Sequence, residues 1–202
     1  MKLRKLGLGL LFLSLFSASV WAEVFEEGVH YTQFAGGVKP AEPTVTEFFS
    51  FTCPHCYRFE SQVPTLKAQL AQGVAFEQYH VDFGRPIDTE LARSLVIAQQ
   101  LNVSSVIKPA LFAAIHETKS LRRAEDLRQL FLDNGVSAEQ FDKASSSFVV
   151  QTTLGRWKQA QQASGLRGVP AIVVNQQYLV DRGSVKTVEE LAALLNYLAN
   201  KG

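Results

Sequence analysis

Cysteine is nearly absent from this chain: its 202 residues hold two, Cys53 and Cys56. A structural zinc needs four ligands and one Cys-x-x-Cys supplies two, so a metal site is not supported. Charge of one sign is also missing, with 20 Lys and Arg against 19 Asp and Glu and a formal net charge of +1. Neither a basic stripe for nucleic acid nor an acidic tail is present, and no nucleic-acid partner is expected. Beyond residue 22 no apolar run is long enough to span a bilayer, and no repeat, low-complexity tract or flexible linker interrupts the chain. What remains is 47% hydrophobic and 19% charged, the balance of a folded chain of one or two domains that can bury a sizeable core.

The first residues stand apart. Lys2, Arg4 and Lys5 precede the apolar run Leu6 to Phe16, followed by small residues and Val20-Trp21-Ala22. This is the layout of a secretory signal peptide over 1–22, with cleavage expected after Ala22. Removing it takes away three of the 20 basic residues and none of the 19 acidic ones, leaving 17 against 19 and a net charge of −2. Export places the cysteines where disulfides persist, in the periplasm or outside the cell, so the pair is expected to rest oxidised.

Those two cysteines read Cys53-Pro54-His55-Cys56, directly after Val45-Thr46-Glu47-Phe48-Phe49-Ser50-Phe51. The near-continuous apolar, β-rich run predicts a strand buried on both faces of a parallel or mixed sheet. Phe59, Val63, Leu66 and Leu70 then recur at helical spacing, which puts Cys53 at a helix N-terminus with Pro54 in the first turn. Pro64 interrupts the pattern and predicts a kink. A thiol pair at a strand-to-helix turn can cycle between dithiol and disulfide. A purely structural bridge is the plainer reading, but so small a loop contributes only about 2 kcal/mol.

Elsewhere, His30 to Phe34 predicts a short edge strand and Val74 to Phe83 a further strand. From Asp88 to about Phe148 the period is helical, with Asn134-Gly135 closing one helix and Ser137-Ala138-Glu139-Gln140 opening the next as a capping box. Phe148 to Ala163 predicts a longer helix. Ala171 to Asn175 and Tyr178 to Val180 predict a hairpin around Gln176-Gln177. Thr187-Val188-Glu189-Glu190 is a second capping box, ahead of an apolar stripe at Val188, Leu191, Leu194, Leu195 and Leu198. His30, His80 and His116 lack metal-ligand spacing and are expected to be structural. Strand, helix and strand, then a late hairpin and helix, describe an α/β chain of thioredoxin-like fold with an inserted all-helical domain. Its parts are 23–87 and 149–202, with the insertion at 88–148.

Four stretches carry a resemblance: Glu47-Phe48-Phe49-Ser50-Phe51, Cys53-Pro54-His55-Cys56-Tyr57, His80-Val81-Asp82-Phe83 and Arg167-Gly168-Val169-Pro170-Ala171. Over essentially the whole mature chain the sequence resembles the DsbA family of periplasmic thiol:disulfide oxidoreductases of Gram-negative bacteria. The resemblance implies an enzyme that donates its Cys53–Cys56 disulfide to unfolded or newly exported cysteine-containing proteins through a mixed disulfide at Cys53. It further implies no cofactor beyond that disulfide, and reoxidation by a DsbB-type, quinone-linked membrane oxidase. Val169 and a cis Pro170 would face the cysteines and bind an extended peptide by strand addition, whereas an isolated X-Pro bond is ordinarily trans. Glu47 and Glu60 fall where the family keeps semi-buried acids. Gln78 departs from the family, which has a lysine there.

Residue chemistry adds direction. The N-terminal end of a helix and an imidazolium at His55 both stabilise a Cys53 thiolate, which stabilises the reduced form and makes the disulfide an oxidant. Cys56, one turn along, is expected to be buried. Glu47 could exchange a proton with Cys56, or be an ordinary solvated strand-end charge. Phe51 and Tyr57 border a groove for unfolded chains or pack in the core. A reductase or isomerase of the same fold, or a chaperone-like module that binds without turnover, are the other functions open at this point. Nothing in the sequence requires an obligate interface, and a monomer is expected.

Overall fold

The computed structural model describes residues 25–35 and 37–201, so the leader over 1–22 and its cleavage after Ala22 lie outside the described residues. A mixed sheet of order β1-β5-β4-β2-β3 forms its centre. The strands are β1 (Tyr31–Gln33), β2 (Thr44–Phe49), β3 (Ala75–His80), β4 (Ala171–Val174) and β5 (Tyr178–Val180). β2 runs parallel to β3 and antiparallel to β4, with Glu47 opposite Gln78 on one side and Ile172 on the other. All six residues of β2 are buried, as its unbroken apolar run requires.

One face of the sheet is covered by α1 (Pro54–Glu60), α2 (Val63–Gln69) and α8 (Val188–Asn200), whose Phe59, Val63, Leu66, Leu191, Leu195 and Leu198 meet Val45, Ile172 and Val174. The other carries α3 (Pro86–Gln100), α4 (Ser104–His116), α5 (Ala124–Asp133), α6 (Ala138–Ser145) and α7 (Phe148–Ser164). A second core joins Phe48, Tyr79 and Val173 of the sheet to Leu95, Ile107, Leu111, Phe131 and Trp157 of these helices. Among the described residues no helix is long and apolar enough to cross a membrane. The fold is the expected thioredoxin-like α/β architecture with added helices.

Local signals acted mostly as their chemistry dictates. Ser137 accepts from the Gln140 N–H at 3.2 Å while the Gln140 side chain takes the Ser137 N–H at 3.0 Å. The box at Thr187 closes on one side only: its hydroxyl accepts from Glu190 N–H, but the Glu190 carboxylate turns to the Lys186 N–H at 2.6 Å. Pro64 does more than kink a helix. It stands in the first turn of α2, where its missing N–H costs nothing, and the chain breaks between Glu60 and Val63 into two helices. The β4–β5 turn sits one residue earlier than the sequence suggested, with Asn175 and Gln176 both left-handed at φ 52° and 54°. Asn175 accepts that conformation while its side chain takes the Thr44 N–H and donates to the carbonyls of Leu198 and Ala199. Gly37 is required beside this turn, because a Cβ there would lie 1.6 Å from the Gln176 carbonyl oxygen.

Candidate active site

Cys53 is the N-cap of α1 and Pro54 its first helical residue. The buried strand β2 delivers the chain to this point and Pro54 presets the helical φ, so the reactive pair is held by rigid elements. The Cys53 sulfur accepts the N–H of Cys56 at 3.4 Å, the capping contact a serine hydroxyl would otherwise make. Cys53 is half-buried and Cys56 is 1% exposed; both are thiols in the structure. Burial pushes the Cys56 thiol far up from its ordinary range, only partly offset by the Ser50 N–H that donates to its sulfur at 3.5 Å. One sulfur is therefore reachable and the other sheltered.

Facing Cys53 is the loop before β4. The Val169–Pro170 bond is cis, and the Cys53 thiol donates to the Val169 carbonyl at 3.4 Å. Arg167 and Gly168 are exposed and Val169 and Pro170 half-buried, so this loop reaches the surface beside the sulfur.

Beneath the pair lies a buried polar network. Glu47 is 1% exposed, and burial raises its carboxyl from 4.5 to about 7, although Gln78, Lys108 and Arg182 each favour the ionised form. Gln78 Nε2 donates to Glu47 Oε2 at 2.6 Å and to Glu60 Oε2 at 3.5 Å. Lys108, on α4, donates from Nζ to Glu60 Oε1 at 2.5 Å and to Gln78 Oε1 at 2.6 Å. A lysine has donors only, so its contact fixes the Gln78 amide with Nε2 towards the acids. The cation missing from position 78 thus arrives from another element, and Lys108 is a site residue that sequence reasoning did not single out.

His55 stands at the rim with Arg58, whose guanidinium Nη2 lies 2.9 Å from His55 Nδ1. Phe51 is fully buried and belongs to the core, while Tyr57 is half-buried, stacks on His116 at 4.8 Å and donates its hydroxyl to Glu117. His116 contacts the Phe51 carbonyl at 2.7 Å, and His80 accepts the Phe51 N–H at 3.1 Å; both histidines serve the loop that carries the cysteines. His30 accepts the Glu26 N–H. Among the described residues no three His, Cys, Asp or Glu side chains converge on a metal position.

The family model of the DSBA-like thioredoxin domain matches residues 44–193. The thiol:disulfide interchange protein DsbA of Pectobacterium carotovorum is 39% identical over 197 residues, covering 92% of this chain and 93% of that protein. DsbA of Escherichia coli K12 is 36% identical over 98% of this chain and all of its own length. Among solved structures, the DsbA disulfide oxidoreductase from Proteus mirabilis superposes with a TM-score of 0.81 at 33% identity, covering 88% of this chain and 98% of that one. A cysteine-to-serine variant of the Proteus protein with a non-covalently bound peptide gives 0.79 at 34%, over 89% and 100%.

Proposed function

This chain belongs to the DsbA-like thioredoxin-domain family of thiol:disulfide oxidoreductases, and from that premise we propose that it donates the Cys53–Cys56 disulfide to newly exported, cysteine-containing proteins in the periplasm. The observation that carries this reading is the asymmetry of the pair: a half-buried Cys53 at a helix N-terminus against the Val169 carbonyl, with Cys56 buried behind it.

A substrate thiolate attacks Cys53 Sγ; the Cys53–Cys56 bond breaks, a mixed disulfide forms, and Cys56 Sγ leaves with the electron pair and takes up a proton. A second substrate thiolate then attacks the substrate sulfur of that bond, and Cys53 leaves as thiolate. The substrate loses two electrons and the enzyme pair gains them. Burial demands that Cys56 be protonated once released, and Glu47, titrating at about 7 within reach of its field, supplies that proton and recovers it on reoxidation. The extended substrate pairs with the backbone at Val169 beside Pro170, the arrangement that strand addition uses. A complex of the Proteus relative with a non-covalently bound peptide supports peptide binding as such. Recharging falls to a quinone-linked membrane oxidase of the DsbB type. The thioredoxin-like unit is 23–87 with 149–202, and the insertion 88–148 contributes Lys108 to the site.

Replacing Cys56 by serine tests the sequence of bonds. The variant, incubated with a substrate carrying an activated disulfide, is expected to hold a stable mixed disulfide at Cys53, visible by non-reducing mass spectrometry. Attachment to no substrate, with Cys53→Ser as active as the parent, would mean binding without turnover.

A further inference from the structure

One cleft beside the reactive sulfur has a charge pattern that thiol exchange does not require. It measures about 480 Å³ and is lined by His55, Arg58 and Gln62 on one wall and Val169, Pro170 and Arg182 on the other, with Phe59 at its floor; no lining residue is acidic. The Arg182 guanidinium lies over the Phe59 ring, 4.0 Å from its centroid. Neither Arg58 nor Arg182 forms an ion pair among the described residues. Two nearby carboxylates are engaged elsewhere, Glu60 on Lys108 and Asp181 on the Gly183 N–H at 2.8 Å, while Glu47, buried beneath the thiols, acts on Arg182 through its field without forming an ion pair with it.

Arg182 is half-buried, and burial works against its charge. A partly desolvated guanidinium with a free donor fork is matched best by a carboxylate, which takes two parallel N–H bonds. Val169, on which the substrate chain is proposed to dock, lines the same cleft as both arginines. An extended strand advances about 3.3 Å per residue, so a side chain one or two positions from a cysteine joined to Cys53 falls within the span of this cleft.

We infer that the cleft between Arg58 and Arg182 is a carboxylate subsite, which favours substrate segments bearing Asp or Glu within two residues of the cysteine that attacks Cys53. The inference rests on the mixed-disulfide reading above. No new chemistry is added: the thiolate still breaks the Cys53–Cys56 bond, and the subsite raises the encounter rate and holds the segment in place.

The test uses oxidised full-length protein and short uncharged peptides with a single cysteine, carrying Asp or Asn at each of the two positions on either side. In excess peptide, loss of the Cys53–Cys56 disulfide to mixed disulfide and dithiol together is followed by acid quench and mass spectrometry. Each rate is divided by that peptide's rate with the neutral bis(2-hydroxyethyl) disulfide, which cancels the effect of Asp on the peptide thiol itself. The normalised Asp-to-Asn ratio is expected to reach about three- to ten-fold at one position at least, and to shrink as salt is raised. It should fall towards one in Arg58→Gln/Arg182→Gln and persist in Arg58→Lys/Arg182→Lys. A ratio of one at all four positions, or one that survives the glutamine pair, overturns the subsite while leaving disulfide donation intact. Failure of every peptide, charged or not, to reduce the Cys53–Cys56 pair overturns the parent reading and the subsite with it.

Discussion

Replacing Lys108 by methionine removes the one cation of the network under the thiols while keeping an apolar stem of similar length. Lys108 Nζ sits 2.5 Å from Glu60 Oε1, with side-chain exposures of 9% and 27%. Breaking a fully buried pair costs about 3–5 kcal/mol, and the access of water to Glu60 reduces that to about 2 kcal/mol. For a chain of this size that is a fall in Tm of about 4–8 °C. A second effect separates a network from a lone ion pair. Without the Nζ donor on its Oε1, the Gln78 amide is free to turn over, and Glu47 loses both an oriented donor at 2.6 Å and a nearby positive charge. Its carboxyl, already at about 7, moves higher, and the pH at which Glu47 titrates in carboxyl-selective NMR moves with it. Lys108→Arg, which keeps the charge, should recover much of the Tm. A Glu47 titration that stays in place or moves down in Lys108→Met would refute the relay of orientation through Gln78, whatever happens to Tm.

Glu47 and His80 pull the pH dependence of stability in opposite directions. Folded Glu47 holds its proton up to about pH 7 against 4.5 when unfolded, so the folded state binds more protons in that window and stability falls as pH rises, by about 3 kcal/mol. Burial lowers folded His80 to about 4 against 6.5, so the unfolded state binds more protons there and stability rises with pH by about 3 kcal/mol. Over pH 4.5 to 6.5 the two cancel, and Glu47→Gln should uncover the His80 slope in urea titrations of the reduced protein; equal slopes for variant and parent would contradict the assignment. Asn175→Ala removes three buried hydrogen bonds and, with them, the polar side chain that suits asparagine to a left-handed turn, for a loss of about 3 kcal/mol in thermal or urea unfolding. A loss below about 1 kcal/mol would mean that Thr44 and the end of α8 do not depend on that side chain.

The sequence exposed the reactive centre because its signals are local. Pro54 after Cys53 marks a helix start, the run ending at Phe51 marks a buried strand, and four residues connect the two cysteines with the first turn. Val169 and Pro170 were legible only through family resemblance, since 116 residues separate Val169 from the sulfur it contacts. Lys108 was invisible for a related reason. Along α4 it is one polar residue among apolar ones, and its partners Gln78 and Glu60 lie 30 and 48 residues away. Arg182 stands in a 3-10 turn, Arg182–Ser184, that no periodicity marks. Glu47 could be flagged by position but not by environment, because its burial depends on β3, β4 and α4 together.

The central claim is that this pair accepts electrons from substrate thiols. The reduction potential of the Cys53–Cys56 couple, measured on the mature protein equilibrated against defined glutathione mixtures and read by thiol alkylation, tests it most directly. The account predicts a couple more oxidising than glutathione, with the dithiol form favoured in all but strongly oxidising mixtures. A potential near that of thioredoxin would contradict it, and would make the same fold and cysteines a reductase.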